Sequence, residues 1–377
     1  MILVVLILVV LLLTYTYVLY PLLLKRKAAG KSLAVERYTT QDDLPEVYII
    51  IPARNEEKVI ADKLNSILQS AYPKEKVKIY IGLDNCTDAT KTIIEQSFAL
   101  PSIHLVEFPE RQGKPSVLNQ LVAGSGFKEE DLLIFTDANV LFSPNTIFEL
   151  VSYFKDARVG LVDSNILPKR ITNENEHLYW NYENRIKADE SLVYAIIPGP
   201  SGGCFAIRKK LFTPVPDNFL VDDFFIGFSI ATKGYRSLFN TEAVCYEDVI
   251  TNWRQEFSRK IRIATGNFQN LWYFRKYASN PFSTAGVVFF SHKVLRWVTP
   301  FLLLVLYYIV LLECTLFTVL ATLLLPAVDA LLFALNTEFK PLRRFNYFIV
   351  MNVAVFIGFV RFCMGVKSNI WQPTVRS

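Results

Sequence analysis

Between residues 47 and 162, short apolar runs alternate with helix-compatible stretches, and this beat constrains the fold more than any other feature of the chain. The runs are 47–51, 77–83, 103–108, 132–135 and 159–162, and the stretches 56–69, 89–97 and 116–123 separate most of them. Such alternation predicts an α/β architecture, an open and largely parallel sheet covered on both faces. Ligands bind such sheets at the carboxyl edge of the strands, so the residues just after each run are the candidates for function.

Those residues are polar and charged. The first run ends in Pro52-Ala53-Arg54-Asn55-Glu56-Glu57, although capping of the next helix accounts for Asn55 and Glu56 equally well. The second ends in Asp84-Asn85-Cys86-Thr87-Asp88, where Asp84 suits a base or ribose and Asp88 suits a helix cap. The third opens the loop Arg111-Gln112-Gly113-Lys114, whose cations suit a phosphate. The fourth, Leu132-Leu133-Ile134-Phe135-Thr136, delivers Asp137-Ala138-Asn139. A carboxylate and an amide oxygen two residues apart suit Mg²⁺ or Mn²⁺, which take oxygen ligands and keep company with phosphates; a strand end followed by a polar turn is the plainer alternative.

Several classes are disfavoured. Gly113-Lys114 lacks the P-loop pattern, since Phe108 stands where the first glycine belongs and Pro115 where Ser or Thr belongs. No G-x-G-x-x-G follows any run, which speaks against a dinucleotide cofactor. Cys86, Cys204, Cys245, Cys314 and Cys363 have no paired spacing, against both a disulfide framework and a zinc site. His104, His177 and His292 match no ligand pattern. The net charge of +5 fits an anionic ligand or a membrane surface and does not by itself argue for nucleic acid.

Taken in order, the motifs resemble those of family 2 glycosyltransferases. Ile49-Ile50-Ile51-Pro52-Ala53-Arg54-Asn55-Glu56-Glu57, Asp84 with Asp88, Gly113-Lys114 and Thr136-Asp137-Ala138-Asn139 are similar to that family's successive nucleotide-sugar motifs. Ser201-Gly202-Gly203-Cys204-Phe205-Ala206-Ile207-Arg208 is similar to its acceptor-side loop, and Val221-Asp222-Asp223 to its catalytic acidic pair. Arg259-Lys260-Ile261-Arg262 stands where membrane members of the cellulose, poly-N-acetylglucosamine and hyaluronan synthase group carry Q-x-x-R-W. The match runs from about 47 to 266, more than half the chain. The resemblance implies a GT-A fold, a UDP-sugar donor, a divalent cation and inversion at the anomeric carbon. It implies that Ala53, Asn55, Glu56 and Asp84 surround uracil and ribose, that Lys114 approaches the donor, and that Asp137 is the first acid of a D-x-D motif. Asn139 replaces the second acid, Arg259 replaces Gln and Ile263 replaces Trp.

Sugar transfer demands a base for the attacking hydroxyl and positive charge for the departing diphosphate. Asp223 is the candidate base and Asp222 its neighbour; two adjacent carboxylates raise one another's pKa. An N-cap pair before a helix over 224–233 explains the same residues. Arg259 and Arg262 suit the diphosphate, whereas an amphipathic helix over 253–277 on an anionic leaflet explains the same stretch without chemistry. Gly202 and Gly203 permit a tight turn. Two other classes stay in view. Asp222-Asp223 speaks against a transport-associated subunit with a degenerate nucleotide domain, and Asn139 speaks for a nucleotide-sugar-binding regulator without turnover.

The rest belongs to lipid, as 52% apolar residues suggest. Residues 1–24 carry no charge and form a transmembrane anchor without signal-peptide features; Lys25, Arg26, Lys27 and Lys31 follow it, which places the next domain in the cytosol. The expected order is a linker over 25–45, the GT-A domain over 46–270, an interfacial segment over 271–297, a membrane hairpin over 298–335, a third membrane helix over 345–365 that spans or re-enters, and a tail over 366–377. The expected partners are a UDP-sugar, a lipid-linked or polysaccharide acceptor and membrane lipids.

Overall fold

A computed structural model describes residues 2–169, 174–248, 253–280, 282–334 and 340–366. Its centre is one eight-stranded sheet in the order β3-β2-β1-β4-β7-β6-β8-β5. The strands are β1 (Val47–Ala53), β2 (Val77–Asp84), β3 (Ile103–Phe108), β4 (Leu132–Thr136), β5 (Leu141–Phe142), β6 (Val159–Pro168), β7 (Cys204–Arg208) and β8 (Arg236–Glu247). β3, β2, β1 and β4 are parallel, with Val47 opposite both Val77 and Leu132. β1 is buried on both faces: Val47, Ile49 and Ile51 enter one apolar layer, and Tyr48 and Ile50 the other. That is what a β-branched run does when successive side chains leave opposite faces.

The second half of the sheet departs from the sequence reading. β7 is antiparallel to both β4 and β6, and β8 runs parallel to β6. The segment read as an acceptor-side loop is a turn over 201–203 followed by a wholly buried strand, Cys204–Arg208. β8 escapes a sequence reading because its pairing with β6 slips between Asp163 and Asn165, which leaves the polar residues Asn240, Thr241 and Glu242 in mid-strand.

Among the described residues three helices are long and apolar enough to cross a membrane, Ile2–Ala28, Thr284–Glu313 and Pro341–Cys363, and a shorter apolar helix covers Phe317–Leu332. The first two each contain a π-helical segment, Tyr15–Leu19 and Phe289–Val294, and these meet where Tyr15 Oη lies 2.9 Å from Ser291 Oγ. The expected interfacial segment is not a separate element from residue 284 onward, because the helix runs unbroken into the apolar stretch. Its charges turn inward: Lys293 and Arg296 both pair with Glu183 of the helix Glu174–Tyr194, and His292 is buried. Buried ions are tolerated when paired in this way. The last helix, Lys340–Cys363, starts before residue 345 and lies along the helix Trp253–Tyr273. A Cβ on Gly358 would come within 2.5 Å of Ala264 Cβ, so these two helices approach at backbone distance. The tail with Trp371 lies outside the described residues.

Candidate active site

The site is assembled at the carboxyl ends of β1, β2 and β4. Asn55 and Asn85, where β1 and β2 end, have φ of 53° and 49°, a left-handed conformation that asparagine tolerates better than most residues. Their turns are laced together. Thr87 N donates to Asn55 Oδ1 at 2.9 Å, Glu57 N to Asp88 Oδ2 at 3.1 Å and Ala89 N to Glu57 Oε2 at 3.0 Å. Asp88 also accepts from Thr90 N at 3.0 Å, so it caps the next helix from one residue before the N-cap, Ala89. Ala53, Glu56 and Asp84 are buried at this edge. The Asp84 carboxylate accepts from Gln112 N at 2.6 Å and Gly113 N at 3.0 Å. It therefore anchors the loop that ends in Lys114.

Lys114 is where the motifs converge. Its Nζ lies 2.9 Å from Asp137 Oδ1 and 3.3 Å from Asp222 Oδ2, joining the end of β4 to the helix Asp222–Thr232. Burial opposes its charge, but Asp137, Asp222 and Asp223 outweigh burial and hold the ammonium well above its usual range. Asp223 is pushed up to about 6 by burial and by Asp222, against the pull of Lys114. The cap reading of this pair does not hold, because Val221 is the N-cap and both acids stand in the first helical turn. There the helix dipole favours their charge.

Ser201-Gly202-Gly203 closes one side. A Cβ on Gly202 would sit 2.6 Å from Asp223 Oδ2, so only glycine admits the carboxylate this close. Neither Gly202 nor Gly203 has positive φ; the need is space, not left-handed backbone. Gly203 O accepts from Asp137 N at 3.1 Å and Thr136 Oγ1 at 3.0 Å, which ties the turn to the end of β4. Ser201 is held from behind by a buried Asp163–Lys187 pair: its N donates to Asp163 Oδ1 at 2.8 Å, and Lys187 Nζ reaches Asp163 Oδ2 at 2.8 Å.

The helix Trp253–Tyr273 grips the backbone leading into Asp222. Arg262 Nη1 donates to Leu220 O at 3.2 Å, Gln269 Oε1 accepts from Leu220 N at 3.0 Å, and Asn270 Nδ2 donates to Val221 O at 3.1 Å. Burial, then Arg259, lowers the pKa of Arg262, while Asp222, Asp223 and Asp137 oppose that shift. Arg262 thus lies within electrostatic reach of the acids, and Arg259 within reach of Arg262. Gln269 and Asn270 escaped the sequence reading, and adjacent amides in a stretch rich in basic and aromatic residues were their signal.

Lys63 was also missed. It is fully buried on the helix Ile60–Leu68 among Ile60, Leu64 and Ile67, and a lysine on an apolar face is the feature that would have flagged it. Its Nζ donates to Thr136 Oγ1 at 2.8 Å and to Val140 O at 2.5 Å, one contact on each side of Asp137-Ala138-Asn139. Burial pushes its ammonium down to about 8.

The donor chemistry around Asp137 fits a hard cation. Asn139 Nδ2 donates to Glu247 Oε1 at 3.1 Å, while nothing among the described residues donates to Asn139 Oδ1. A carboxylate and an amide oxygen are the ligand types Mg²⁺ and Mn²⁺ accept. Among the described residues no three His, Cys, Asp or Glu side chains group as a metal site by themselves. Mg²⁺ in particular is usually held through one or two carboxylates plus substrate phosphates.

An α/β sheet with an acidic strand end, a loop lysine and a helix-borne acidic pair at its carboxyl edge is a GT-A-like architecture. Residues 45–266 match the family described as "Glycosyltransferase like family 2", and the chain belongs to that family. A probable glycosyltransferase of Bacillus subtilis, YdaM, is 26% identical over 249 residues, 60% of this chain and 56% of the relative. The poly-β-1,6-N-acetyl-D-glucosamine synthase of Staphylococcus epidermidis is 22% identical over 67% of this chain and 61% of its own length. A β-monoglucosyldiacylglycerol synthase of a Nostoc species is 27% identical over 37% of this chain and 29% of its own. The chain thus spans about six-tenths of the first two relatives. A mannosyltransferase of Pyrobaculum calidifontis, solved with GDP-Man and Mn²⁺, shares the fold with a TM-score of 0.74 at 22% identity, over 95% of this chain and 99% of that one.

Proposed function

We propose that this protein is a membrane-anchored inverting glycosyltransferase that moves a sugar from a UDP-sugar to a lipid-linked or polysaccharide acceptor at the cytosolic membrane face. The observation that carries the reading is the Lys114–Asp137–Asp222 bridge beside Asp223, whose pKa of about 6 suits a base at neutral pH. Asp223 takes the proton of the acceptor hydroxyl. The hydroxyl oxygen bonds to the anomeric carbon as the bond to the diphosphate breaks on the opposite face, which inverts the centre. Lys114, Arg259 and Arg262 face the leaving diphosphate. Ala53, Asn55, Glu56 and Asp84 form the nucleoside end, and Gly202 and Gly203 the acceptor side. Mg²⁺ or Mn²⁺ held by Asp137 and Asn139 would supply further positive charge to the diphosphate.

The three long apolar helices support membrane attachment, and Lys25, Arg26 and Lys27 after the first support a cytosolic catalytic domain. Relatives named as a poly-N-acetylglucosamine synthase and a glucosyldiacylglycerol synthase support a polymeric or lipid acceptor. The test is nucleotide release by membranes carrying the wild type or Asp223→Asn, with a panel of UDP-sugars and GDP-mannose, in Mn²⁺ or EDTA, with and without a total lipid extract. Metal-dependent UDP release with one sugar, lost in the variant, is expected. Release from GDP-mannose alone would overturn the UDP assignment, and equal release by the variant would overturn the role of Asp223.

A further inference from the structure

Glu247 ends β8, on the far side of the sheet order from β4, yet it touches the β4 loop. The cause is the short antiparallel pair of β5 with β8, in which Leu141 lies opposite Tyr246 and Phe142 opposite Cys245. That register brings the residues just before Leu141 alongside those just after Tyr246. Asn139 Nδ2 and Glu247 Oε1 meet there at 3.1 Å, and Asn139 is buried.

The Glu247 carboxylate oxygen accepts from the amide nitrogen, so the carboxamide of Asn139 turns Nδ2 toward Glu247 and Oδ1 away from it. Its carbonyl oxygen is then the atom left for a ligand. The family's second acid is missing at position 139, but a carboxylate stands one hydrogen bond behind it.

We infer that Glu247 is a positioning residue of the cation site, holding Asn139 so that Oδ1 is offered to the ion and supplying from behind the negative charge the amide lacks. Groups that orient a metal ligand act in this way, and their loss weakens metal affinity about 10–100-fold. The inference rests on the cation-dependent reading above and extends it to a residue on another strand.

The test is Mn²⁺ binding to the full chain in detergent with UDP present, read by electron paramagnetic resonance of free Mn²⁺. Glu247→Gln, whose amide can donate as well as accept, should weaken binding about 10–100-fold, and Glu247→Asp should recover part of the loss. Asn139→Asp alone places two carboxylates in contact and should weaken binding too. The double variant Asn139→Asp with Glu247→Gln exchanges acid and amide and should recover most of the affinity. That recovery is the signature, because two merely structural lesions would add. Unchanged affinity in Glu247→Gln, or additive losses in the double variant, would overturn the inference while leaving the cation reading intact. Absence of Mn²⁺ binding by the wild type would overturn both. Thermal unfolding of each variant separates loss of affinity from loss of fold.

Discussion

Two of the places where the protein buries charge balance it differently. In the cleft one ammonium, Lys114, is shared between Asp137 and Asp222, while Asp223 is left with its pKa raised to about 6. At the junction of the helices Ile2–Ala28, Glu174–Tyr194 and Thr284–Glu313, Lys293 and Arg296 both meet Glu183. There His292 lies with one ring nitrogen 3.0 Å from Glu190 and the other 3.1 Å from Glu183, and Tyr20 Oη donates to Glu190 at 2.7 Å. The junction spends its charges on one another, which fixes helices in place. The cleft keeps a carboxylate that would rather be neutral, which is a cost in stability and a means of moving a proton. Substitutions should therefore divide: cleft variants change chemistry and spare the fold, and junction variants do the reverse.

Asp223→Asn carries the largest expected effect, a fall in kcat of about 10³-fold, within the range lost when a general base is removed. The same variant should be more stable than the wild type at pH 8. A raised folded pKa contributes stability that is complete below the unfolded value near 3.8 and is lost as pH rises through about 6. The gain from Asn should thus shrink as pH falls from 7 to 4, as denaturant titration at several pH values would record. A destabilised Asp223→Asn would break the comparison. Next in size is Glu183→Leu, which leaves the partly buried Lys293 and Arg296 without their carboxylate; removing one partner of a fully buried pair costs about 3–5 kcal/mol, and the loss here should fall below that. Thermal unfolding in detergent should show this, with kcat of the surviving folded fraction near wild type. A selective loss of kcat with unchanged stability would move the junction into the catalytic apparatus.

The same division governs what was legible in the sequence. The parallel half of the sheet, β1 to β4, was readable because each apolar run ends in its own polar motif, and local order places those motifs along one sheet edge. Asp137 and Lys114 are legible from that local order, whereas the Asp222-Asp223 pair is legible only from its resemblance to the family's acidic pair. The half with β6, β7 and β8 was not, because β7 and β8 pair with strands distant in sequence and β8 carries its polar residues where the ladder slips. Lys187 and Glu247 were invisible for the same reason, since each acquires its meaning from a partner on another element. His292 drew no chemistry from its spacing, and its role came only from a helix more than a hundred residues earlier.

Gly202→Ala sharpens the comparison from the turn side. Its new methyl would meet Asp223 Oδ2 at 2.6 Å, so the carboxylate must move. A small misplacement of a catalytic group can cost about 10²-fold, and the loss should fall on kcat while donor KM holds.

The smallest effect discriminates most finely. Asp222 is the second cause of the raised Asp223 pKa, after burial. Asp222→Asn removes that repulsion and also frees Lys114 to pair more closely with the remaining acids, and both changes favour ionised Asp223. Because the base must be deprotonated, kcat/KM should rise with pH through an apparent pKa near 6 in the wild type, and the acidic limb should move to lower pH in the variant. Lys114→Met should move it the other way. The limb belongs to the coupled group of carboxylates rather than to one residue, so the direction of displacement is the informative quantity. A limb that ignores both substitutions would mean that the titrating base lies elsewhere and that the charge imbalance in the cleft serves binding alone.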